Sequence, residues 1–316
     1  MSLLELFDAL LLDLDGVVYI GPHAVPHASQ ALAQARTCGT GIAFVTNNAS
    51  RTPDLVAQHL RELGIQASAE DVVNSSQAAA HVILQQVGPG ATVLAIGGPG
   101  VRSALIDRGL VPVESAEPTP QAVMMGYGPD VCWRDLAEAA YAVHAGALFV
   151  ATNPDTSFPT PRGIAPGNGT LVAAVASATG RQPVVAGKPF APLVQESIER
   201  VGATSPLMVG DRLDTDIEAA YNTGIESLLV MTGVTTIGDL CKAPVHQRPT
   251  YVSPDLRGLN QPAIDLRVGT DAPQSEWGEI LRTVALAWQR SDQGADPLAD
   301  VNLPSLTLIL RELLEK

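Results

Sequence analysis

Cysteine and basic side chains are both scarce in this chain of 316 residues. The three cysteines, Cys38, Cys132 and Cys241, lie far apart without the spacing of a metal site, so we expect reduced thiols in a cytoplasmic protein. Lysine and arginine number 19 against 33 aspartates and glutamates, which gives a net charge of −14. This deficit argues against nucleic acid and anionic membranes as partners, because both require a basic surface.

Long apolar runs are missing as well. No run is long enough to span a membrane, and acidic residues such as Glu5 and Asp8 interrupt the apolar start of the chain, which argues against a signal peptide. The composition that is present, 46% hydrophobic and 16% charged residues, is typical of a globular protein. At roughly 100 to 200 residues per domain, the length predicts two domains.

A repeated pattern of strand, turn and helix predicts an α/β fold with parallel sheets. The pattern stops after a helix near Ser76–Gln86, restarts within an insert, and resumes with a strand and turn over 183–189. We therefore predict a Rossmann-like core domain split over 1–84 and 184–258, with a smaller inserted α/β domain over 85–183.

The last part of the chain, 259–316, is predicted to be a helical appendage. Amphipathic helices are expected at Glu276–Arg290 and Ser305–Glu315, joined by a loop rich in Asp, Gly and Pro. We expect this appendage to pack on the core or to form a contact in a homodimer.

Two carboxylates, Asp13 and Asp15, end the first predicted strand. Residues two apart in a strand project to the same side, and two like charges in a dry setting raise one pKa unless a cation or hydrogen bonds compensate. Asp15-Gly16 is also a common turn pair. Because ligands of open α/β folds bind at the carboxyl edge of the sheet, the second carboxylate favours a chemical role over a simple turn.

Three further predicted strand ends carry polar residues to what we expect to be the same edge. These residues are Thr46, Asn47, Lys188, Asp211, Asp214 and Asp216. Carboxylates with a hydroxyl, an amide and an ammonium predict a site that holds a phosphoryl group beside a hard divalent cation. Asp13 and Asp211 are the expected Mg²⁺ ligands; one aspartate can act as nucleophile and another can protonate the leaving oxygen.

The other residues of this set have supporting roles in the prediction. Thr46 and Lys188 are expected to bind the non-bridging phosphoryl oxygens, and Lys188 also keeps Asp13 ionised. Asp214 is expected to cap a helix N-terminus, and Asp216 to contact the groups that bind the metal.

Four separated motifs resemble those of the haloacid dehalogenase superfamily. They are Asp13-Leu-Asp15-Gly16-Val17, Thr46-Asn47-Asn48-Ala49-Ser50, Gly187-Lys188-Pro189 and Gly210-Asp211-Arg212-Leu213-Asp214-Thr215-Asp216-Ile217. The motifs are most similar to those of its phosphatases with a large class II cap, the NagD and p-nitrophenylphosphatase type. The resemblance implies a nucleophile at Asp13, an acid and base at Asp15, phosphate binding by Thr46, Asn47 and Lys188, and Mg²⁺ on Asp13, the Asp15 carbonyl and Asp211.

The insert is similar to the cap of this family. Asn153-Pro154-Asp155 and Pro166-Gly167-Asn168-Gly169 resemble cap segments of relatives that act on glycerol phosphate and phosphoglycolate. The resemblance implies substrate contacts at Asn153, Asp155 and Asn168, whereas Arg162 either meets an anionic substrate tail or is a surface arginine. At Gly128 and Pro161 the chain departs from many relatives, which carry acidic residues there.

The resulting prediction is an Mg²⁺-dependent phosphomonoesterase that forms an aspartyl-phosphate on a small phosphorylated metabolite. Glycerol 3-phosphate is the first candidate, and a nucleoside monophosphate or sugar phosphate the next. A phosphoacceptor module read by a partner is the alternative from another class, although it requires neither Asp15 nor a cap.

Two other signals are interpreted as structural. Gly98-Pro99-Gly100 opens a predicted helix like a dinucleotide fingerprint but is not followed by the third glycine, so we assign it to cap architecture. His81 and His144 lie in predicted helices without paired ligands, and we expect packing or surface histidines.

Overall fold

The computed structural model describes residues 1–160, 162–266 and 272–316; Pro161 therefore lies outside the described residues. Two compact units make up the chain. The first contains Met1–Phe44, Arg61–Gln66 and Ile198–Lys316, and the second contains Val45–Leu60 and Ala67–Ser197. The predicted domain boundaries at 84, 184 and 258 stay a prediction.

Strands and helices alternate along most of the described chain. The strands are β1 (Ala9–Leu12), β2 (Tyr19–Ile20), β3 (His23–Ala24), β4 (Gly41–Thr46), β5 (Val72–Asn74), β6 (Thr92–Ile96), β7 (Val111–Val113), β8 (Ala122–Met125), β9 (Leu148–Ala151), β10 (Ser157–Thr160), β11 (Gly163–Pro166), β12 (Val184–Val185), β13 (Pro206–Gly210), β14 (Glu226–Val230) and β15 (Tyr251–Ser253). The helices are α1 (Leu3–Leu6), α2 (Ala28–Thr37), α3 (Pro53–Glu62), α4 (Ser75–Val87), α5 (Pro99–Asp107), α6 (Trp133–His144), α7 (Asn168–Thr179), α8 (Ala191–Val201), α9 (Glu218–Thr223), α10 (Ile237–Cys241), α11 (Glu276–Asp292) and α12 (Leu303–Glu315).

The first unit is built on parallel strands in the order β15, β14, β13, β1, β4. Strand β1 lies between β13 and β4, with Leu12 opposite Val209 on one side and Phe44 on the other. Leu10, Leu11 and Leu12 are fully buried, as expected for a central parallel strand covered on both faces. Asp13 and Asp211 therefore follow the carboxyl ends of two neighbouring strands.

The C-terminal segment packs against the first unit. Ile280 and Trp288 of α11 and Leu306 of α12 join a buried cluster with Leu229 of β14 and Val252 of β15. Both predicted helices are present, at Glu276–Asp292 and Leu303–Glu315. The described part of this segment thus shares a buried cluster with the strands of the first unit. A homodimer contact stays a prediction.

The second unit has a parallel sheet of its own, in the order β12, β9, β8, β6, β7. Helices α6 and α7 cover it through a buried cluster that includes Val123, Phe149 and Val175. The antiparallel pair β10 and β11 extends from the same unit. An α/β insert was predicted for this stretch of chain, and its strands and helices are found there.

One strand belongs to a different sheet from the one predicted. The strand within 183–189 was predicted to continue the first sheet, but β12 pairs in parallel with β9, with Val184 opposite Val150. The prediction was wrong because a short apolar run indicates a strand without indicating which of two parallel sheets it joins.

Candidate active site

Three carboxylates of the first unit come together at the carboxyl end of its sheet. Asp13 follows β1, Asp211 follows β13, and Asp216 lies in a short π-helical turn, Leu213–Ile217. Each offers an oxygen atom within 4.8 Å of the others, and Asp211 and Asp216 are 1% and 0% exposed. Sequence reasoning gave Asp216 an indirect role, whereas the structure places its carboxylate in the same group as Asp13 and Asp211.

The carboxylate of Asp211 is enclosed by backbone. The Val234 amide donates to Asp211 Oδ2 at 2.7 Å, and the Thr235 hydroxyl donates to the Asp211 carbonyl at 2.6 Å. A Cβ on Gly16 would lie 2.5 Å from Asp211 Oδ2, and a Cβ on Gly233 would overlap the same carboxylate. The turn over 232–235 was not among the predicted site residues, although Thr-Gly-Val-Thr after a strand is a signal for a tight turn.

Asp216 is positioned by the turn that contains it. Its Oδ2 accepts a hydrogen bond from the Arg212 amide at 3.2 Å, and Gly210 leaves room for its side chain, because a Cβ there would overlap it. Single π-helical turns of this kind occur frequently at functional sites.

This donor set fits Mg²⁺. Three carboxylates so close together repel one another unless a cation compensates. All the donors in the group are hard oxygen atoms, which Mg²⁺ prefers over nitrogen or sulfur. Asp13, Asp211 and Asp216 are therefore the residues of the first unit that could hold the metal.

Asp15 has a different environment from these three residues. Asp15 is exposed, and a turn that begins at Gly16, which has φ +86°, follows it. The Gly16 amide donates to the Tyr19 carbonyl at 2.8 Å, which fixes the start of this turn. The side chain of Asp15 is thus more accessible to solvent than those of Asp211 and Asp216.

The predicted capping role of Asp214 is wrong. The turn over 213–217 begins after Arg212, so Asp214 lies inside the turn. Its carboxylate accepts two hydrogen bonds from the Arg212 guanidinium, at 3.0 and 2.8 Å. Asp214 is exposed, so this pair contributes little to stability.

In the second unit, Asn47 and Lys188 are in direct contact. The Lys188 amide donates to Asn47 Oδ1 at 2.8 Å, and Asn47 Nδ2 donates to the Lys188 carbonyl at 3.0 Å. Lys188 is 2% exposed, and its ammonium donates to the Val45 carbonyl at 3.1 Å. Thr46, at the end of β4, accepts a hydrogen bond from the Asn48 amide on its hydroxyl.

The predicted cap residues have separate surroundings. Asn153 and Asn168 are buried and donate to backbone carbonyls, whereas Asp155 is partly exposed. Arg162 is exposed in the turn between β10 and β11, where its amide donates to the Thr160 hydroxyl. The structure therefore places Asn153 and Asn168 inside the unit and Arg162 at its surface.

His81 has a partner that the sequence did not reveal. Its Nδ1 lies 2.5 Å from Glu196 Oε2, and Arg108 Nη2 lies 2.5 Å from Glu196 Oε1. Glu196 is 6% exposed, and the Arg108 guanidinium together with the contact to His81 offsets the cost of burying its charge. The predicted packing role fits this position, and the sequence separation of 115 residues explains why the pair was missed.

A parallel sheet with a group of aspartates at its carboxyl edge is the arrangement expected for a haloacid dehalogenase-like hydrolase. Two family models support the same assignment. Residues 10–111 match the model described as haloacid dehalogenase-like hydrolase, and residues 185–259 match the HAD-hydrolase-like model. The chain belongs to the haloacid dehalogenase-like hydrolases. The predicted family and fold class are thus confirmed.

Individual proteins that the chain resembles are phosphatases. The chain is 48% identical over 276 residues to D-glycerol 3-phosphate phosphatase of Mycobacterium tuberculosis, covering 87% of this chain and 76% of that protein. It is 38% identical to acid sugar phosphatase of Staphylococcus aureus, over 79% and 95% of the two chains. The crystal structure of glycerol phosphate phosphatase from M. tuberculosis in complex with magnesium superposes with a TM-score of 0.85 and 39% identity, covering 96% and 99%.

Among the described residues, no helix has both the length and the apolar character required to cross a membrane.

Proposed function

We propose that this chain is an Mg²⁺-dependent phosphomonoesterase whose substrate is glycerol 3-phosphate. The observation that carries this proposal is the group formed by Asp13, Asp211 and Asp216 at the carboxyl edge of the first sheet. The substrate is taken from the M. tuberculosis relative that bears this name at 48% identity. A cytoplasmic location is part of the proposal and is supported by three free cysteines.

Asp13, Asp211 and Asp216 hold the metal in this proposal, together with the Asp15 carbonyl. Bound Mg²⁺ supplies positive charge that offsets the negative charge of the phosphoryl oxygens and keeps Asp13 ionised. Thr46 and Lys188 bind those oxygens through a hydroxyl and an ammonium. The cap residues that contact the rest of the substrate are Asp155 and Arg162.

The reaction has two steps, and Asp13 carries the phosphoryl group between them. An Asp13 carboxylate oxygen attacks phosphorus, the bond to the ester oxygen breaks, and protonated Asp15 gives its proton to the leaving alkoxide. Glycerol departs and leaves an aspartyl-phosphate. Asp15, now a carboxylate, takes a proton from water as the water attacks phosphorus, which releases phosphate and restores Asp13.

Phosphate release from a substrate panel tests this function. The panel contains glycerol 3-phosphate, phosphoglycolate, a hexose phosphate and a nucleoside monophosphate, each with Mg²⁺ and with a chelator. We expect glycerol 3-phosphate to have the highest kcat/KM and the chelator to abolish turnover. A higher value for the hexose phosphate would favour a sugar phosphatase like the S. aureus relative. If the protein turned over none of these substrates faster than Asp13→Asn does, the proposed enzymatic function would be rejected.

Substitution of the two aspartates separates their roles. Asp13→Asn should lower kcat by more than about 10³-fold on every substrate, because the amide cannot attack. Asp15→Asn should reduce turnover of glycerol 3-phosphate far more than turnover of p-nitrophenyl phosphate, whose leaving group needs no proton. Equal losses on the two esters would contradict an acid role for Asp15.

A further inference from the structure

Three asparagines that are distant in sequence form a chain of hydrogen bonds inside the second unit. Asn168 Nδ2 donates to the Asn153 carbonyl at 3.0 Å, and Asn153 Nδ2 donates to the Asn47 carbonyl at 2.7 Å. Asn47 Nδ2 in turn donates to the Lys188 carbonyl at 3.0 Å. These hydrogen bonds connect the start of α7 with Lys188, the residue that binds the phosphoryl oxygens in the proposed function.

The side-chain amide of Asn47 is fully engaged. Its oxygen accepts from the Lys188 amide at 2.8 Å, one hydrogen of its nitrogen is directed to the Lys188 carbonyl, and Asp155 Oδ1 lies 3.4 Å from the same nitrogen. An amide nitrogen has two hydrogens to donate. Neither hydrogen is therefore available for a phosphoryl oxygen.

We propose that the Asn47 side chain is a positioning group that acts through Lys188 and does not itself bind phosphate. The two hydrogen bonds hold both the amide and the carbonyl of Lys188, as a neighbouring β-strand would. This fixes the backbone from which a long and flexible ammonium side chain extends. The inference rests on the proposed function in one respect, namely that Lys188 binds the phosphoryl group.

The neighbouring glycine makes this approach possible. A Cβ on Gly187 would lie 2.6 Å from Asn47 Oδ1 and 2.6 Å from the Thr152 carbonyl. Only a glycine leaves room for the Asn47 amide to reach the Lys188 backbone. The Gly-Lys-Pro motif thus combines a lysine with the space that its positioning requires.

Asn153 holds Asn47 from the other side, and Asn168 in turn holds the Asn153 carbonyl. They are 3% and 1% exposed, so their hydrogen bonds are shielded from competing water. The Ser75 hydroxyl adds a second hydrogen bond to the Asn47 carbonyl at 2.7 Å. Removing Asn153 therefore takes away one of two supports, and its effect should be smaller than that of removing Asn47.

Binding of inorganic phosphate to the Mg²⁺-loaded protein, measured by calorimetry, tests this positioning role. Asn47→Ala should weaken phosphate binding about 10-fold to 100-fold, within the range that small displacements of a binding group produce. Asn153→Ala should weaken it less. Asn74→Ala is the matched control, because Asn74 is a buried asparagine of the same unit with two side-chain hydrogen bonds, to Gln77 and Arg51. It should lower stability without weakening phosphate binding; equal weakening by Asn47→Ala and Asn74→Ala would overturn the proposal.

A double-mutant cycle distinguishes positioning from direct contact. In a Lys188→Met background, Asn47→Ala should cause no further loss of phosphate affinity, because the group that it positions is gone. The same loss in both backgrounds would mean that the Asn47 side chain touches phosphate itself, and would overturn the proposal.

The double-mutant cycle cannot be measured if Lys188→Met binds too little phosphate or does not fold. Hydrogen exchange at the Lys188 amide then tests the positioning role directly. Asn47→Ala should accelerate this exchange and Asn74→Ala should not; unchanged exchange in Asn47→Ala would overturn the proposal. If no phosphomonoester of the panel is hydrolysed, the proposed function fails. Phosphate binding and amide exchange still report on Asn47 in that case.

Discussion

At the scale of single residues, the Asp211 carboxylate is closely confined by its neighbours. Gly16 and Gly233 flank it, and the Val234 amide donates to its Oδ2 at 2.7 Å. A charge-assisted hydrogen bond of this kind is among the stronger ones in proteins. The orientation of the carboxylate is therefore set by backbone atoms, which cannot move aside as a flexible side chain could.

Gly233→Ala tests this confinement. The added methyl group would overlap the Asp211 carboxylate, so the carboxylate must turn, and we expect Mg²⁺ affinity and kcat/KM to fall by about 10- to 100-fold. Calorimetric titration with Mg²⁺ and steady-state kinetics measure the two effects. Gly238→Ala in α10 is the control: its Cβ would meet Leu303 Cδ1 at 3.4 Å, an ordinary contact. An unchanged Mg²⁺ affinity in Gly233→Ala would contradict a role for Asp211 as ligand.

The sequence predicted the side chains to which the proposed function assigns the chemistry. Asp13 and Asp211 were recognisable because a charged residue directly after a buried strand is costly unless it is compensated. The role of the Val234 amide and the contact between Asn47 and Lys188 were not, since the first is a backbone group and the second spans 141 residues of sequence. Sequence patterns report local periodicity and side-chain type, and neither contains the partner of a hydrogen bond.

At the scale of elements, helix α11 is anchored by one aromatic side chain. Trp288 is 4% exposed, and its indole nitrogen donates to the Leu240 carbonyl of α10 at 2.7 Å. The guanidinium of Arg248 lies 5.4 Å from the ring centroid and pairs with Asp292 at 2.8 Å. The amphipathic pattern predicted this helix, but not which residue fixes its position.

Two substitutions of Trp288 separate packing from hydrogen bonding. Trp288→Phe keeps an aromatic ring but leaves the Leu240 carbonyl without its donor, and should cost about 1–3 kcal/mol of unfolding free energy. Trp288→Ala also creates a cavity and should cost about 3–5 kcal/mol. Urea unfolding measures both values, and Trp133→Phe, at a tryptophan that is 78% exposed, should change stability by less than about 0.5 kcal/mol. Similar costs for Trp288→Phe and Trp133→Phe would show that the indole hydrogen bond contributes nothing.

At the scale of the whole molecule, the net negative charge of the protein opposes the binding of a phosphorylated substrate. A protein with a net charge of −14 repels an anionic substrate before any contact is made. In the proposed function, the attraction therefore comes from the cation and from Lys188. Because salt screens the long-range repulsion more than contacts at the site, this balance favours binding at moderate ionic strength.

The turn that contains Asp216 and the C-terminal helices pack in one buried cluster. Leu213 and Ile217, which bound the turn that contains Asp216, pack in the same cluster as Cys241 and Trp288. Cys241 is fully buried, and burial raises the pKa of its thiol to about 11. Its reactivity therefore reports opening of this cluster, since a buried and protonated thiol does not react.

Labelling of Cys241 should accordingly slow when Mg²⁺ binds. The measurement uses a Cys38→Ser, Cys132→Ser background, which removes the two exposed thiols. The rate of labelling at pH 8 should fall by about 100-fold at Mg²⁺ concentrations near 100 times Kd, because the metal binds only the protein in which the cluster is closed. Asp216→Asn should reduce this protection strongly. The labelling rate should rise with pH only until about 8.5, the pKa of an exposed thiol, because reaction occurs after opening. A rate that keeps rising towards pH 11, or one that Mg²⁺ leaves unchanged, would mean that Cys241 reacts without opening of the cluster that the metal stabilises.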